Sequence, residues 1–128
     1  MESIKGRKVM IVEDDKFFIS LISKKLSDNG LPVIAANDGK SALELVVKEN
    51  PDIIILDIML PDMDGFEILK QIKQLPERIN IPVVFLSNLG SREDIMKGKE
   101  LGATNFLIKA TVTMDEVLQE IVRILGAK

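Results

Sequence analysis

Asp52-Ile53-Ile54-Ile55-Leu56-Asp57-Ile58-Met59-Leu60-Pro61-Asp62-Met63-Asp64-Gly65 is the stretch on which the fold turns. Ile53 to Leu56 holds three β-branched residues among four apolar ones and reads as a strand buried on both faces. An unpaired charge is costly to desolvate, so a carboxylate at the end of such a strand needs a reason. The residues after Asp57 are rich in Pro, Asp and Gly, the composition of a turn. Open α/β sheets gather reactive groups at the carboxyl ends of their strands, facing the loops. Position alone therefore marks Asp57 as a candidate reactive group.

Four more short runs frame this strand. They are Val9-Met10-Ile11-Val12, Pro32-Val33-Ile34-Ala35, Val83-Val84-Phe85-Leu86 and Asn105-Phe106-Leu107-Ile108. Helical patterns lie between them. Phe17, Phe18, Leu21, Ile22 and Leu26 fall at helical spacing and stop at Asn29-Gly30. Residues 41–49 place Ala42, Leu43, Val46 and Val47 on one side and end at Asn50-Pro51. Phe66, Ile68, Leu69 and Ile72 form a third pattern before Pro76. Residues 91–101 form a fourth, with Ser91-Arg92-Glu93-Asp94 as a variant capping box. Residues 113–125 carry the last stripe: Met114, Val117, Leu118, Ile121, Val122 and Leu125. Strand and helix alternating in this rhythm predict an α/β fold, a parallel sheet with helices on both faces. The 128 residues make one domain, 1–128, and no second, effector domain is expected in this chain.

Composition narrows the chemistry. A net charge of −3 gives no electrostatic footprint for nucleic acid. Cysteine is absent, which suits a reducing cytoplasm. The start of the chain lacks the apolar core of a signal peptide, and the apolar runs are too short to span a membrane. Histidine is absent too, so Ser-His and Cys-His nucleophile pairs and His-ligated metals are excluded. A bound metal would be a hard cation held by oxygens, Mg²⁺ foremost.

The strand ends converge. The first strand runs into Glu13, Asp14 and Asp15, the third into Asp57, the fourth into Ser87 and Asn88, and the fifth into Lys109. Crowded carboxylates repel and call for a cation or a proton. Lys109 can pair with Asp57 and bind an incoming anion, and Ser87 can donate a hydrogen bond to it. A divalent cation, an ammonium, a hydroxyl and a carboxylate nucleophile together describe phosphoryl transfer onto Asp57. Each residue also has a plainer role: Asp14 or Asp15 as a helix N-cap, Ser87 as a loop hydroxyl, Lys109 as a solvated lysine. Convergence, not any single residue, favours the chemistry.

These segments resemble the receiver domains of bacterial two-component response regulators, the CheY-like family. Lys8 to Asp15 is similar to their first strand and acidic pocket. Asp57 to Gly65 is similar to the segment around their phospho-accepting aspartate. Val83 to Ser87 and Leu101 to Lys109 match the switch hydroxyl and lysine segments. The resemblance implies a single-domain doubly wound (βα)5 sandwich, flavodoxin-like, with strand order 2-1-3-4-5. It implies that Asp57 accepts a phosphoryl group from a sensor histidine kinase or phosphotransfer protein. Asp14, Asp57 and the backbone carbonyl of Met59 would hold Mg²⁺, with Glu13 beside them. Lys109 would contact the phosphoryl oxygens, Ser87 would move toward them, and Phe106 would turn inward as the coupled switch. The face of helix 4, strand 5 and helix 5 would then engage a downstream protein. Such a module is not an enzyme beyond its own phosphorylation and dephosphorylation.

Lys109 is followed by Ala110 where the family carries proline. A cis bond before a non-proline residue costs about 3 kcal/mol, so the 109–110 bond is expected to be trans with an altered loop, or cis and strained. Other readings are a receiver-like scaffold that is not phosphorylated, and the receiver portion of a longer DNA-binding regulator. A flavodoxin-type flavin carrier would need a hydroxyl- and Gly-rich loop where Glu13-Asp14-Asp15 stands. A haloacid dehalogenase-type phosphatase would need an aspartate where Met59 stands.

Overall fold

The computed structural model describes residues 4–77 and 80–126. Residues 1–3 and 127–128 of the expected domain lie outside the described residues. Five strands and five helices alternate: β1 (Val9–Val12), α1 (Lys16–Ser27), β2 (Val33–Ala36), α2 (Gly39–Glu49), β3 (Ile53–Leu56), α3 (Gly65–Lys73), β4 (Val83–Ser87), α4 (Arg92–Glu100), β5 (Asn105–Ile108) and α5 (Met114–Gly126). The strands form one parallel sheet in the order β2-β1-β3-β4-β5. This is the doubly wound order expected, with every strand's carboxyl end on the same edge.

Alternation along each strand sorts the core into two layers. Val9, Ile11, Ile53, Ile55, Val84 and Leu86 face α1 and α5, meeting Ile22, Leu26, Ile121 and Leu125. Met10, Val12, Ile54, Leu56, Val83 and Phe85 face the other way, onto Ala42 and Val46 of α2 and Phe66, Ile68, Leu69 and Ile72 of α3. β1, β3 and β4 are buried throughout, as strands covered on both faces must be. The outer strands β2 and β5 are only partly covered.

Helix starts are set by side chains that accept the first free N–H groups. Asp15, Asp38, Asp64 and Ser91 cap α1, α2, α3 and α4. At α4 Ser91 accepts from Asp94 N–H at 3.1 Å, the serine half of the expected box. The reciprocal box is at α5 instead. There Thr113 Oγ1 accepts from Glu116 N–H at 3.0 Å, and Glu116 Oε1 accepts from Thr113 N–H at 2.8 Å. The strand expected over 32–35 is shifted to Val33–Ala36, and α2 begins at Gly39 because Asp38 is its cap. Among the described residues no helix is long and apolar enough to cross a membrane.

Gly65 opens α3 against the backbone that follows β3. A Cβ there would strike the Asp57 carbonyl oxygen and lie 2.9 Å from Ile58 Cα and 3.1 Å from the Asp57 carbonyl carbon. Main chain cannot rotate away as a side chain can, so Gly65→Ala is expected to cost about 1–3 kcal/mol, the usual scale of overpacking. Gly126→Ala, which meets nothing within 4 Å, should be near neutral. Urea unfolding of both variants measures the difference; equal midpoints would refute the close approach.

Candidate functional site

The carboxyl edge of the sheet assembles the site. Ladder hydrogen bonds continue one residue past the strands: Glu13 N–H donates to the Ala36 carbonyl at 2.9 Å, Asp57 N–H to Val12 at 3.0 Å, and Lys109 N–H to Ser87 at 2.9 Å. Glu13, Asp57 and Lys109 are thereby held by backbone, not by loop sequence. Ser87 is the last residue of β4 and fully buried. Glu13 and Asp57 are 3% and 7% exposed, while Asp14 lies open to solvent.

Three carboxylates meet here. Glu13, Asp14 and Asp57 each bring an oxygen to within 4.8 Å of the others. Lys109 Nζ answers part of that charge, 2.5 Å from Glu13 Oε1 and 3.7 Å from Asp57 Oδ2. It sits 4.5 Å from the centre of the Phe18 ring, whose π face favours a cation. Lys109 is thus held more closely by Glu13 than by Asp57, the partner read from sequence. Glu13 also accepts from Asp15 N–H at 3.1 Å. Asp15 caps α1 through Phe17 and Phe18 N–H, at 3.0 and 3.2 Å, so the capping role belongs to it.

Burial pushes the Glu13 carboxyl above its usual range, and the negative charge of Asp57 adds to this. The Lys109 hydrogen bond and the Asp15 N–H oppose the rise without cancelling it. An all-oxygen set with one ammonium against three carboxylates suits a hard divalent cation. The donor chemistry therefore fits Mg²⁺.

The remaining residues lie around this cluster. Met59 N–H donates to Asp57 Oδ1 at 3.3 Å, and the Met59 side chain is exposed. Ser87 Oγ accepts from Leu89 N–H at 3.3 Å, tying the β4–α4 loop to the strand end. Phe106 is half-buried, its ring 5.5 Å from that of Phe85, which in turn is 5.3 Å from Phe66. Lys109–Ala110 is a trans peptide, and the chain turns after it through Thr111 and Val112 N–H groups donating to the Ile108 carbonyl. Sequence reading missed Asp62. Its carboxylate accepts from Gly39 N–H at 2.7 Å and Lys40 N–H at 3.0 Å, and these bonds hold its pKa below the usual value. No local pattern marks a carboxylate that caps a helix 23 residues away.

Comparison with known proteins agrees with the geometry. The profile of the response regulator receiver domain family matches residues 9–122. The alkaline phosphatase synthesis transcriptional regulatory protein PhoP of Bacillus subtilis is 36% identical over 104 residues, covering 81% of this chain and 42% of PhoP. The receiver domain of Francisella response regulator 1452 superposes with a TM-score of 0.84 at 37% identity, covering 94% of this chain and 96% of that one. The Mn²⁺-bound form of response regulator Rcp1 gives a TM-score of 0.80 at 30% identity, covering 91% and 92%. The chain spans less than half the length of the curated relatives it matches.

The raised Glu13 pKa has a signed consequence. Folded Glu13 holds its proton more tightly than the unfolded chain does, so its contribution to stability is full below pH 4.5. That contribution is lost as pH rises through the raised folded value. In metal-free buffer, the stability of wild type relative to Glu13→Gln should fall as pH rises above 4.5. Urea unfolding across pH measures the difference, and parallel curves would contradict it.

Proposed function

Because the chain belongs to the response regulator receiver domain family of two-component signalling, we propose that it accepts a phosphoryl group on Asp57 and signals through the change of shape that follows. One observation carries the reading: a buried carboxylate, an ammonium, a hydroxyl and a three-carboxylate cluster stand together at the ends of four strands. The chain has no histidine, so the phosphoryl group comes from another molecule, a partner's phosphohistidine or a small acyl phosphate.

Asp57 attacks phosphorus through a carboxylate oxygen. An Oδ–P bond forms as the donor's N–P bond breaks, and the released imidazole takes a proton from solvent. Glu13, Asp14, Asp57 and the Met59 carbonyl would hold Mg²⁺, which when bound supplies positive charge to the phosphoryl oxygens. That the similar response regulator Rcp1 has a Mn²⁺-bound form supports binding of a divalent cation. Lys109, between Glu13 and Asp57, is within reach of an incoming anion. The Ser87 hydroxyl accepts from Leu89 N–H, which leaves its proton to donate to a phosphoryl oxygen. Its movement would release Leu89 N–H and free the β4–α4 loop, with Phe106 following inward. The face of α4, β5 and α5 is then the surface that a downstream protein reads. The greater length of the curated relatives favours a second reading of the output, a further domain in the same polypeptide.

Incubation with a small acyl phosphate and Mg²⁺ should add one phosphoryl mass to wild type and none to Asp57→Asn. Equal labelling of the two would refute the assignment, and no labelling by this donor or a kinase would favour the scaffold. Mg²⁺ at a hundred times its dissociation constant should raise wild-type unfolding stability by about 2.7 kcal/mol. Asp14→Asn should lose most of that increment.

A further inference from the structure

The loop between Asp57 and α3 has few ties to the rest of the molecule. At its start Asp57 N–H is bonded to β1 and Ile58 is buried. At its end Gly65 N–H donates to the Ile58 carbonyl at 2.8 Å. Between them Met59, Pro61 and Asp62 are exposed. Among the described residues, the hydrogen bonds joining 59–63 to another element are those of Asp62 with Gly39 and Lys40. Met63 supports the same junction. A Cβ on Gly39 would strike Met63 Cγ and lie 2.8 Å from its sulfur, so the absence of a side chain at Gly39 lets the loop seat on α2.

Asp62 is not needed to start the helix. Asp38 already caps α2, accepting from Ser41 N–H at 2.8 Å. The two aspartates serve different N–H groups of one helix, but only Asp62 belongs to the loop that carries Met59. Met59 N–H meets Asp57 Oδ1 at a long 3.3 Å, so that carboxylate's orientation depends on where the loop is held.

We propose that Asp62 is a positioning residue for the cation and phosphoryl site. By tying the 58–64 loop to the start of α2, it fixes the Met59 main chain against Asp57, and with it the set of oxygens offered to a divalent cation. The inference rests on the phosphoryl-acceptor reading given above. Groups that orient a ligand in this way commonly change metal affinity by about tenfold or more when removed.

Asp38→Ala is the control, since it removes the cap of the same helix start without touching the loop. Calorimetric titration with Mg²⁺ suits a chain that has no Trp or Tyr. Asp62→Ala should raise the Mg²⁺ dissociation constant by about tenfold, with a phosphorylation rate at saturating Mg²⁺ close to that of wild type. Asp38→Ala should lower unfolding stability and leave the Mg²⁺ constant in place. Should Asp62→Ala fold poorly, Asp62→Asn keeps one acceptor at the helix start and should weaken Mg²⁺ binding in the same direction. Equal Mg²⁺ constants in wild type and Asp62→Ala, or equal losses in both aspartate variants, would overturn the role given to Asp62 while the phosphoryl reading stands. A wild type that binds no Mg²⁺ would overturn both.

Discussion

The structure depends on a charge imbalance at the dry end of a sheet. Glu13 and Asp57 follow two strands with no exposed residue, and Asp14 brings a third carboxylate beside them. One ammonium, Lys109, sits among them, closest to Glu13. A buried carboxylate carries a large desolvation cost unless it is paired or protonated. At Glu13 burial pushes the carboxyl pKa above its usual range despite the lysine partner. A site left with excess negative charge has free energy to gain from a cation, and from an anion only once a cation is present. That ordering follows from charge alone.

The fold makes this imbalance sustainable. Parallel pairing puts every strand's carboxyl end on one edge, and the alternation of residues 9 to 12, 53 to 56 and 83 to 86 fills two apolar layers behind it. The layers bury enough hydrocarbon to hold three strand-end side chains rigidly through backbone hydrogen bonds. A loop-borne site would lose side-chain entropy whenever it assembled; here that ordering accompanies folding.

Much of this was legible in the sequence, for a physical reason. β1 and β3 have the residues that the apolar runs indicate, because a strand buried on both faces tolerates no polar residue in its middle. The resemblance of four short segments supplied the strand order, which periodicity cannot. What stayed hidden depends on distances between parts remote in sequence. The Lys109–Glu13 pairing joins residues 96 apart, and the Asp62 latch joins the β3–α3 loop to α2. The Thr113–Glu116 box is different, since both residues lie in plain view as Thr-x-x-Glu.

The helices around the sheet are unequal in how much apolar surface they bury. α1 and α5 share one core and α2 and α3 the other, whereas α4 buries only Gly98 among its described residues. A Cβ at Gly98 would lie 3.2 Å from the Phe85 ring and 3.3 Å from the Phe106 ring, so α4 rests directly on the aromatic pair. A helix with little apolar surface to uncover costs little to displace. Its two ends of attachment are both reachable from the site, through the Ser87–Leu89 hydrogen bond and through Phe106. On the phosphoryl-acceptor reading, a small movement at Asp57 would meet its weakest opposition at α4, while α2 and the β3–α3 loop, joined through Asp62, would hold the reacting groups still. A clamped loop and a loosely seated helix would together let one sheet edge both position the proposed reaction and report it.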